Sequence, residues 1–183
     1  MRGVVRAILI GGALALCSQV VSAGPWSLTG KVIHVDDGDS LTILQADFSK
    51  TTVRLSDIDS PEGGHGLGRP GQPFSQAAKQ SLVALAKGQN ATATCYENDH
   101  WGRSVCTVYV GGLDVNAEQL RRGMAWVNRL NRSYVRNPQS ATFEAQARAA
   151  GLGIWAAGGA QPVPPWEWRK QCWKHEACDG AGQ

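Results

Sequence analysis

The stretch RLSDIDSPE, from Arg54 to Glu62, places three carboxylates within six residues at the end of a predicted strand. The residues from Thr51 to Ile58 are rich in β-branched side chains, which favours a strand. Pro61 then restricts the backbone between the last two acids. Because carboxylates this close together repel one another, the stretch indicates that a cation binds at this strand end.

Four further strands are predicted around this stretch, two before it and two after it. Alternating apolar and polar residues, bounded by turn residues, define them: Trp26 to Val35, Ser40 to Phe48, Asn90 to Tyr96 and Ser104 to Val110.

Three helices complete the predicted fold. Apolar residues fall at helical spacing from Pro73 to Lys87. A short second helix begins near Asn116, which we expect to cap it, with Gln119 three residues further on. A third begins at Asn137-Pro138 and ends at Gly151. The order βββαββαα predicts an α+β protein built on a five-stranded Greek-key OB-fold barrel with about three helices.

The first 23 residues have the layout of a secretory signal peptide. Arg2 and Arg6 precede an apolar stretch, and small residues follow it up to Ala23. The apolar stretch is shorter than the roughly 20 residues that a bilayer-spanning helix needs. We therefore expect cleavage after Ala23, a periplasmic or secreted protein, and no stable membrane insertion afterwards. Residues 24–157 are predicted to form the domain and residues 158–183 a tail containing Pro, Trp and Cys.

Charge composition alone does not indicate nucleic-acid binding. The chain has 18 basic and 15 acidic residues, and removal of the two signal-peptide arginines leaves 16 against 15. The distribution is more informative, since six arginines and a single acid, Glu144, lie between Gln119 and Ala150. Such a run either follows a phosphate backbone or forms a solvated helix surface.

Seven short motifs follow one another along the chain. They are Asp37-Gly38-Asp39, Arg54-Leu55, Ile58-Asp59-Ser60-Pro61-Glu62, Asp99-His100-Trp101-Gly102-Arg103, Val115-Asn116, Gly123-Met124-Ala125-Trp126-Val127 and Gly153-Ile154-Trp155. Together they resemble the thermonuclease, or staphylococcal nuclease-like, family over roughly Ser27 to Trp155. Each motif is weak by itself, but the set in this order and spacing is specific.

This resemblance implies roles for individual residues. Asp39 and Asp59 would bind one calcium ion through their carboxylates, with the backbone carbonyl of Ser60 as a third ligand, since calcium prefers oxygen donors. Glu62 would be the general base that activates water. The two remaining residues, Arg54 and Arg103, would hold the phosphate and stabilise the charge of the transition state.

The resemblance also indicates where substrate is contacted. His100, Trp101 and Arg129 are the predicted substrate-binding residues. Trp101 stands where the family has tyrosine, so it can stack on a base but lacks a hydroxyl for a phosphate. For Asp57, we expect either a position behind the metal ligands or exposure to solvent. The loop residues His65 and Arg69 either contact substrate or are solvated.

The function implied is that of an exported, calcium-dependent endonuclease acting on DNA and/or RNA, with the protein expected to be a monomer. One alternative is an OB-fold nucleic-acid-binding module of the cell envelope with weak catalysis. Another is a structural or adhesive cell-envelope protein, which leaves the acid cluster unexplained. The presence of both arginines and the glutamate favours the enzyme.

Four cysteines remain after removal of the signal peptide, an even number that favours disulfides in an exported protein. Cys95 and Cys106 lie in two strands that should pair around the loop presenting Arg103, so a disulfide is expected between them. For Cys172 and Cys178, with His175 between them, a local disulfide is favoured over a metal site, because a fourth zinc ligand is not evident.

Overall fold

A computed structural model describes residues 24–66, 68–156, 162–176 and 178. The predicted signal peptide, residues 1–23, lies outside the described residues. None of the helices in these ranges is long and apolar enough to cross a membrane.

The described chain contains eight strands and four α-helices. The strands are β1 (Trp26–Val35), β2 (Ser40–Leu44), β3 (Lys50–Leu55), β4 (Ile58–Asp59), β5 (Asn90–Asn98), β6 (Ser104–Val110), β7 (Leu113–Asp114) and β8 (Trp126–Val127). The α-helices are α1 (Ser75–Ala86), α2 (Val115–Arg121), α3 (Ser140–Ala149) and α4 (Pro165–Trp168). Short 3₁₀-helices span Arg132–Tyr134 and Gly153–Ala156, and a π-helical turn spans Arg169–Lys174.

Five of these strands close into a barrel. β1 pairs antiparallel with both β2 and β5, β2 pairs with β3, and β5 pairs with β6. Parallel pairing of β3 with β6, from Val53 opposite Ser104 to Leu55 opposite Cys106, closes the ring. The prediction of an α+β protein with a five-stranded OB-type barrel is confirmed. The described chain has one helix more than expected, because α4 forms within the predicted tail.

The barrel interior holds the apolar core, including Val32, Leu41 and Val53. Leu82 of α1 and Leu120 of α2 pack against it. The predicted disulfide is present and buried in this core, because Cys95 and Cys106 stand opposite each other in the β5–β6 register.

The third strand ends earlier than predicted, because the backbone turns sharply at Asp57. This residue has a φ of 68°, in the left-handed region where a non-glycine residue is uncommon. The bend separates β3 from β4, so the predicted strand from Thr51 to Ile58 is two strands. β4 then pairs with β8, which places Asp59 opposite Trp126.

Neither expectation for Asp57 is correct, since its carboxylate is buried at 2% exposure and organises backbone. Its Oδ1 accepts hydrogen bonds from the N–H groups of Arg136 at 2.8 Å and Asn137 at 2.6 Å, and from the Ser140 hydroxyl at 3.1 Å. A carboxylate that receives several donors replaces the water those groups would otherwise need. Asp57 therefore ties the start of α3 to the bend beside β4.

Asn116 is buried rather than being the cap of the second helix. Asp114 is the cap, and its carboxylate accepts a hydrogen bond from the N–H of Ala117 at 2.9 Å. The Asn116 amide donates to the carbonyls of Ser56 and Cys106, both at 3.0 Å. A motif that looks like a helix cap in the sequence thus joins α2 to the residue after β3 and to the interior of β6.

Substitution of Asp57 with alanine is predicted to lower the free energy of unfolding by about 3 kcal/mol or more. The change leaves several buried donors without an acceptor, and each unsatisfied donor costs roughly 1–3 kcal/mol. It also places alanine at a positive φ. Urea unfolding monitored by circular dichroism measures the effect. The matched variant is Asp57→Asn, which tolerates the same φ and keeps one acceptor oxygen, and should lose less. An Asp57→Ala protein as stable as wild type would contradict this assignment.

Candidate active site

A cleft of about 640 Å³ opens at the ends of β3 and β4. Eight of the nine predicted metal, catalytic and substrate residues line it: Asp39, Arg54, Asp59, Ser60, Glu62, His100, Trp101 and Arg103. A second cavity of about 720 Å³ lies between α1 and α2 and has none of these residues in its lining. The barrel therefore gathers side chains that are far apart in sequence into one place.

The guanidinium of Arg54 lies at the base of the cleft between two aspartates. It is 6% exposed, with Nη1 3.2 Å from Asp39 Oδ2 and Nη2 3.1 Å from Asp59 Oδ1. Backbone bonds fix the partners, because Leu55 N–H donates to the Asp39 carbonyl and Ser60 N–H donates to Asp39 Oδ2. The two predicted ligand carboxylates are thereby held on either side of one positive charge.

Burial and the neighbouring charges act in opposite directions on these acids. Burial alone would raise the pKa of Asp39, but the Arg54 guanidinium and the hydrogen bonds from Ser60 outweigh it and hold that pKa below its usual value. Burial raises the pKa of Asp37 to about 7, assisted by the charge of Asp39. Burial likewise raises the pKa of Glu62 to about 7, although a neighbouring guanidinium, that of Arg169, opposes the rise.

Arg103 is oriented by Asp99, a residue without a role in the sequence-based predictions. Asp99 accepts a hydrogen bond from Arg103 Nε at 2.7 Å and from the backbone N–H groups of Trp101 and Arg103. The Ser40 hydroxyl, 3.2 Å from Arg103 Nη1, fixes the other side of the guanidinium. The spacing of four residues between Asp99 and Arg103 within the loop was the available signal.

His100 and Trp101 form one wall of the cleft. Their ring centroids are 3.4 Å apart, and the Trp101 side chain is 71% exposed. The guanidinium of Arg103 lies 5.1 Å from the Trp101 ring centroid. A large aromatic surface left in solvent beside a cation is suited to stacking on a planar ligand.

Arg129 is the predicted substrate residue that the structure does not bring into the cleft. Its Nη2 lies 2.7 Å from Glu144 Oε1, and its Nη1 lies 3.1 Å from Glu144 Oε2. Arg148, in the same arginine-rich run, also pairs with Glu144. Arg121 and Arg122 pair with Glu118, and Arg136 pairs with Glu97. Most of this run is thus committed to ion pairs within the protein.

Arg169, in the π-helical turn of the tail, contacts the acid cluster directly. Its Nη2 lies 2.8 Å and its Nη1 3.2 Å from the two carboxylate oxygens of Asp59, and Nη1 also donates to Glu62 Oε1. The sequence contained no motif for this contact, since a single arginine in a Trp-rich tail resembles a surface residue. The fold brings it more than a hundred residues back to its partners.

The donor chemistry of the cleft fits one calcium ion. The predicted ligands are two carboxylates and the Ser60 carbonyl, and all of them are oxygen donors of the kind calcium prefers. Within the described ranges, no three His, Cys, Asp or Glu side chains lie together as a metal-binding group. In the tail, Cys172 and Cys178 form a disulfide, so those sulfurs are not metal ligands.

Comparison of the chain with known proteins identifies its family. The model for staphylococcal nuclease homologues matches residues 52–157, more than half of the chain, and Asp39 precedes the matched range. The chain therefore belongs to the family of staphylococcal nuclease homologues.

Individual relatives agree with the family match. The chain is 30% identical to an uncharacterised endonuclease of Haemophilus influenzae over 91% of this chain and 86% of that protein. It is 34% identical to a micrococcal nuclease of Shigella flexneri over 82% of this chain and 86% of that one. An uncharacterised 38.1 kDa protein of Capnoides sempervirens is 39% identical over 66% of this chain, which spans only 32% of that longer protein. Family membership and these names support a nuclease function.

Proposed function

We propose that this protein is an exported, calcium-dependent nuclease that hydrolyses phosphodiester bonds of DNA and/or RNA. The observation that carries the proposal is the convergence of Arg54, Arg103 and Glu62 on one cleft, beside the carboxylates of Asp39 and Asp59. A protein that only bound nucleic acid would need cations but no buried carboxylates, which repel phosphate.

The two arginines bind the scissile phosphate in this proposal. Arg103 is fixed by Asp99 and Ser40 before substrate arrives, so little conformational freedom is lost on binding. Arg54 is rigid because it is buried between two carboxylates. Guanidinium groups match phosphate geometry, and their charge matters most in the transition state, where negative charge on the phosphate grows.

Glu62 is the proposed general base. It follows Asp59 by three residues, and its N–H donates to the side chain of Gln72 at 3.1 Å, which holds the loop. Glu62 takes a proton from water as the water oxygen attacks phosphorus and the bond to the leaving sugar oxygen breaks. Trp101 and His100 are the proposed stacking surface for a base. Arg129 is paired with Glu144 outside the cleft, so we do not propose that it contacts substrate.

Asp39, Asp59 and the Ser60 carbonyl would hold the calcium ion. When bound, the ion supplies positive charge that reduces the repulsion between the phosphate and the approaching nucleophile. Both disulfides favour an oxidising compartment, in agreement with a periplasmic or secreted protein. We expect the protein to act as a monomer.

The variants Glu62→Gln and Arg103→Ala are each predicted to lower the rate of DNA cleavage about 10²–10³-fold while the fold remains intact. Each change removes one group needed in the transition state. Cleavage of denatured DNA measures the rate, and circular dichroism checks the fold. The matched controls are Glu118→Gln and Arg122→Ala, which alter an ion pair on α2 away from the cleft, and should cleave at the wild-type rate. Wild-type cleavage by Glu62→Gln or Arg103→Ala would overturn these roles.

Chelation of calcium is predicted to abolish cleavage, and calcium added back in excess should restore it. The reason is that the carboxylates of Asp39 and Asp59 repel a phosphate, and the proposed ion would supply positive charge that offsets this repulsion. The assay uses denatured DNA with EGTA and with EGTA plus excess calcium. Chelator-resistant cleavage would reject the metal assignment, whereas the absence of cleavage with any divalent metal would favour the binding module.

A further inference from the structure

The guanidinium of Arg169 engages the oxygens through which Asp59 is expected to bind calcium. Asp59 Oδ2 receives Arg169 Nη2 at 2.8 Å, and Asp59 Oδ1 is shared by Arg169 Nη1 at 3.2 Å and Arg54 Nη2 at 3.1 Å. The same guanidinium donates to Glu62 Oε1, the proposed proton acceptor. Both carboxylate oxygens of Asp59 are therefore occupied by cationic donors from within the chain.

The charges in the cleft explain why a guanidinium binds there. The carboxylates of Asp37, Asp39, Asp59 and Glu62 line the cleft, and Arg54 lies at its base. Carboxylates gathered in a partly buried place are stable only with counter-charges. Arg169 supplies one, as the calcium ion would, and the two cations would share the carboxylate oxygens of Asp59.

The segment that carries Arg169 is held against the cleft by contacts of its own. Trp168 and Cys172, on either side of Arg169, are buried. The Gln72 amide donates to the carbonyl of Val163 at 2.6 Å, and the Trp173 indole donates to the carbonyl of Pro70 at 3.1 Å. Gln72 also accepts the N–H of Glu62, so the tail is docked on the loop that carries the proposed base.

Arg54 and Arg169 differ in how easily they can leave. Arg54 is 6% exposed, lies in a barrel strand and also donates to the Leu55 carbonyl. The Arg169 side chain is 33% exposed and belongs to a short turn outside the barrel. A change in the tail can therefore free Asp59 and Glu62 without disturbing the barrel.

We propose that Arg169 is a built-in competitor for the calcium site, an inference that rests on the proposed function of the cleft. With the tail docked, the guanidinium holds Asp59 and covers Glu62, and the nuclease is inactive. Calcium binding requires Arg169 to leave Asp59, which also frees Glu62 to accept a proton. Because only the undocked fraction binds calcium at full affinity, the docked tail lowers the apparent affinity in proportion to that fraction.

Calcium titration by isothermal calorimetry tests the competition on the purified protein and on Arg169→Gln. The variant is predicted to bind calcium roughly tenfold more tightly or better, because the competing guanidinium is gone. The matched control is Lys170→Gln, which removes one positive charge at the next, exposed residue of the same turn and should leave affinity unchanged. In the wild-type protein, limited trypsin cleavage at Lys170 and Lys174, followed by mass spectrometry, should be faster with calcium than without it.

Each other outcome has a separate meaning. Equal or weaker calcium binding by Arg169→Gln, or equal gains in both variants, overturns the competition. Unchanged affinity combined with lost cleavage would make Arg169 a phosphate-binding residue, which also overturns it. If none of the three folded proteins binds calcium, the calcium site of the proposed function fails together with the inference, whereas tight binding that Arg169 does not alter rejects the inference alone.

Discussion

The ion pairs of the buried Arg54 with Asp39 and Asp59 are the interaction on which the rest of the cleft depends. Removing any one partner would leave a buried charge uncompensated, which typically costs about 3–5 kcal/mol. Arg54 stands opposite Ser40 in β2 and Val105 in β6, so the strand pairings that close the barrel also position its guanidinium. The charge arrangement of the cleft consequently depends on closure of the barrel.

The concentrated negative charge of the cleft attracts further cationic groups. One of them comes from the tail, which links the tail to the proposed chemistry. Arg103 approaches from the β5–β6 loop, where Asp99 orients it, and Arg169 approaches from the π-helical turn. A bound calcium ion would add positive charge to the cleft, and a bound phosphate would add negative charge. The tail is therefore placed to respond to what the cleft binds.

The sequence predicted the parts of this protein that depend on local pattern. The bounds of β1 and β6 match because alternation and turn residues define them, and the motif order located the cleft. Features set by distant contacts were missed. The bend at Asp57 depends on donors about eighty residues away. The sequence around Asn116 predicts a helix cap, because the contact of its amide with β6 exists only in the folded protein. Arg169 likewise reaches the cleft only through the folded tail. The resemblance predicts substrate contact for Arg129, but the structure places this side chain outside the cleft, in an ion pair with Glu144 fifteen residues further along the chain.

A crystal structure of the protein grown with calcium and a short phosphorothioate oligonucleotide tests the proposed site most directly. We expect one calcium ion, about 2.3–2.6 Å from carboxylate oxygens of Asp39 and Asp59 and from the Ser60 carbonyl. We also expect a phosphate group within hydrogen-bonding distance of Arg54 and Arg103. An ion bound away from these aspartates, or an oligonucleotide whose phosphates contact neither arginine, would contradict the proposed site.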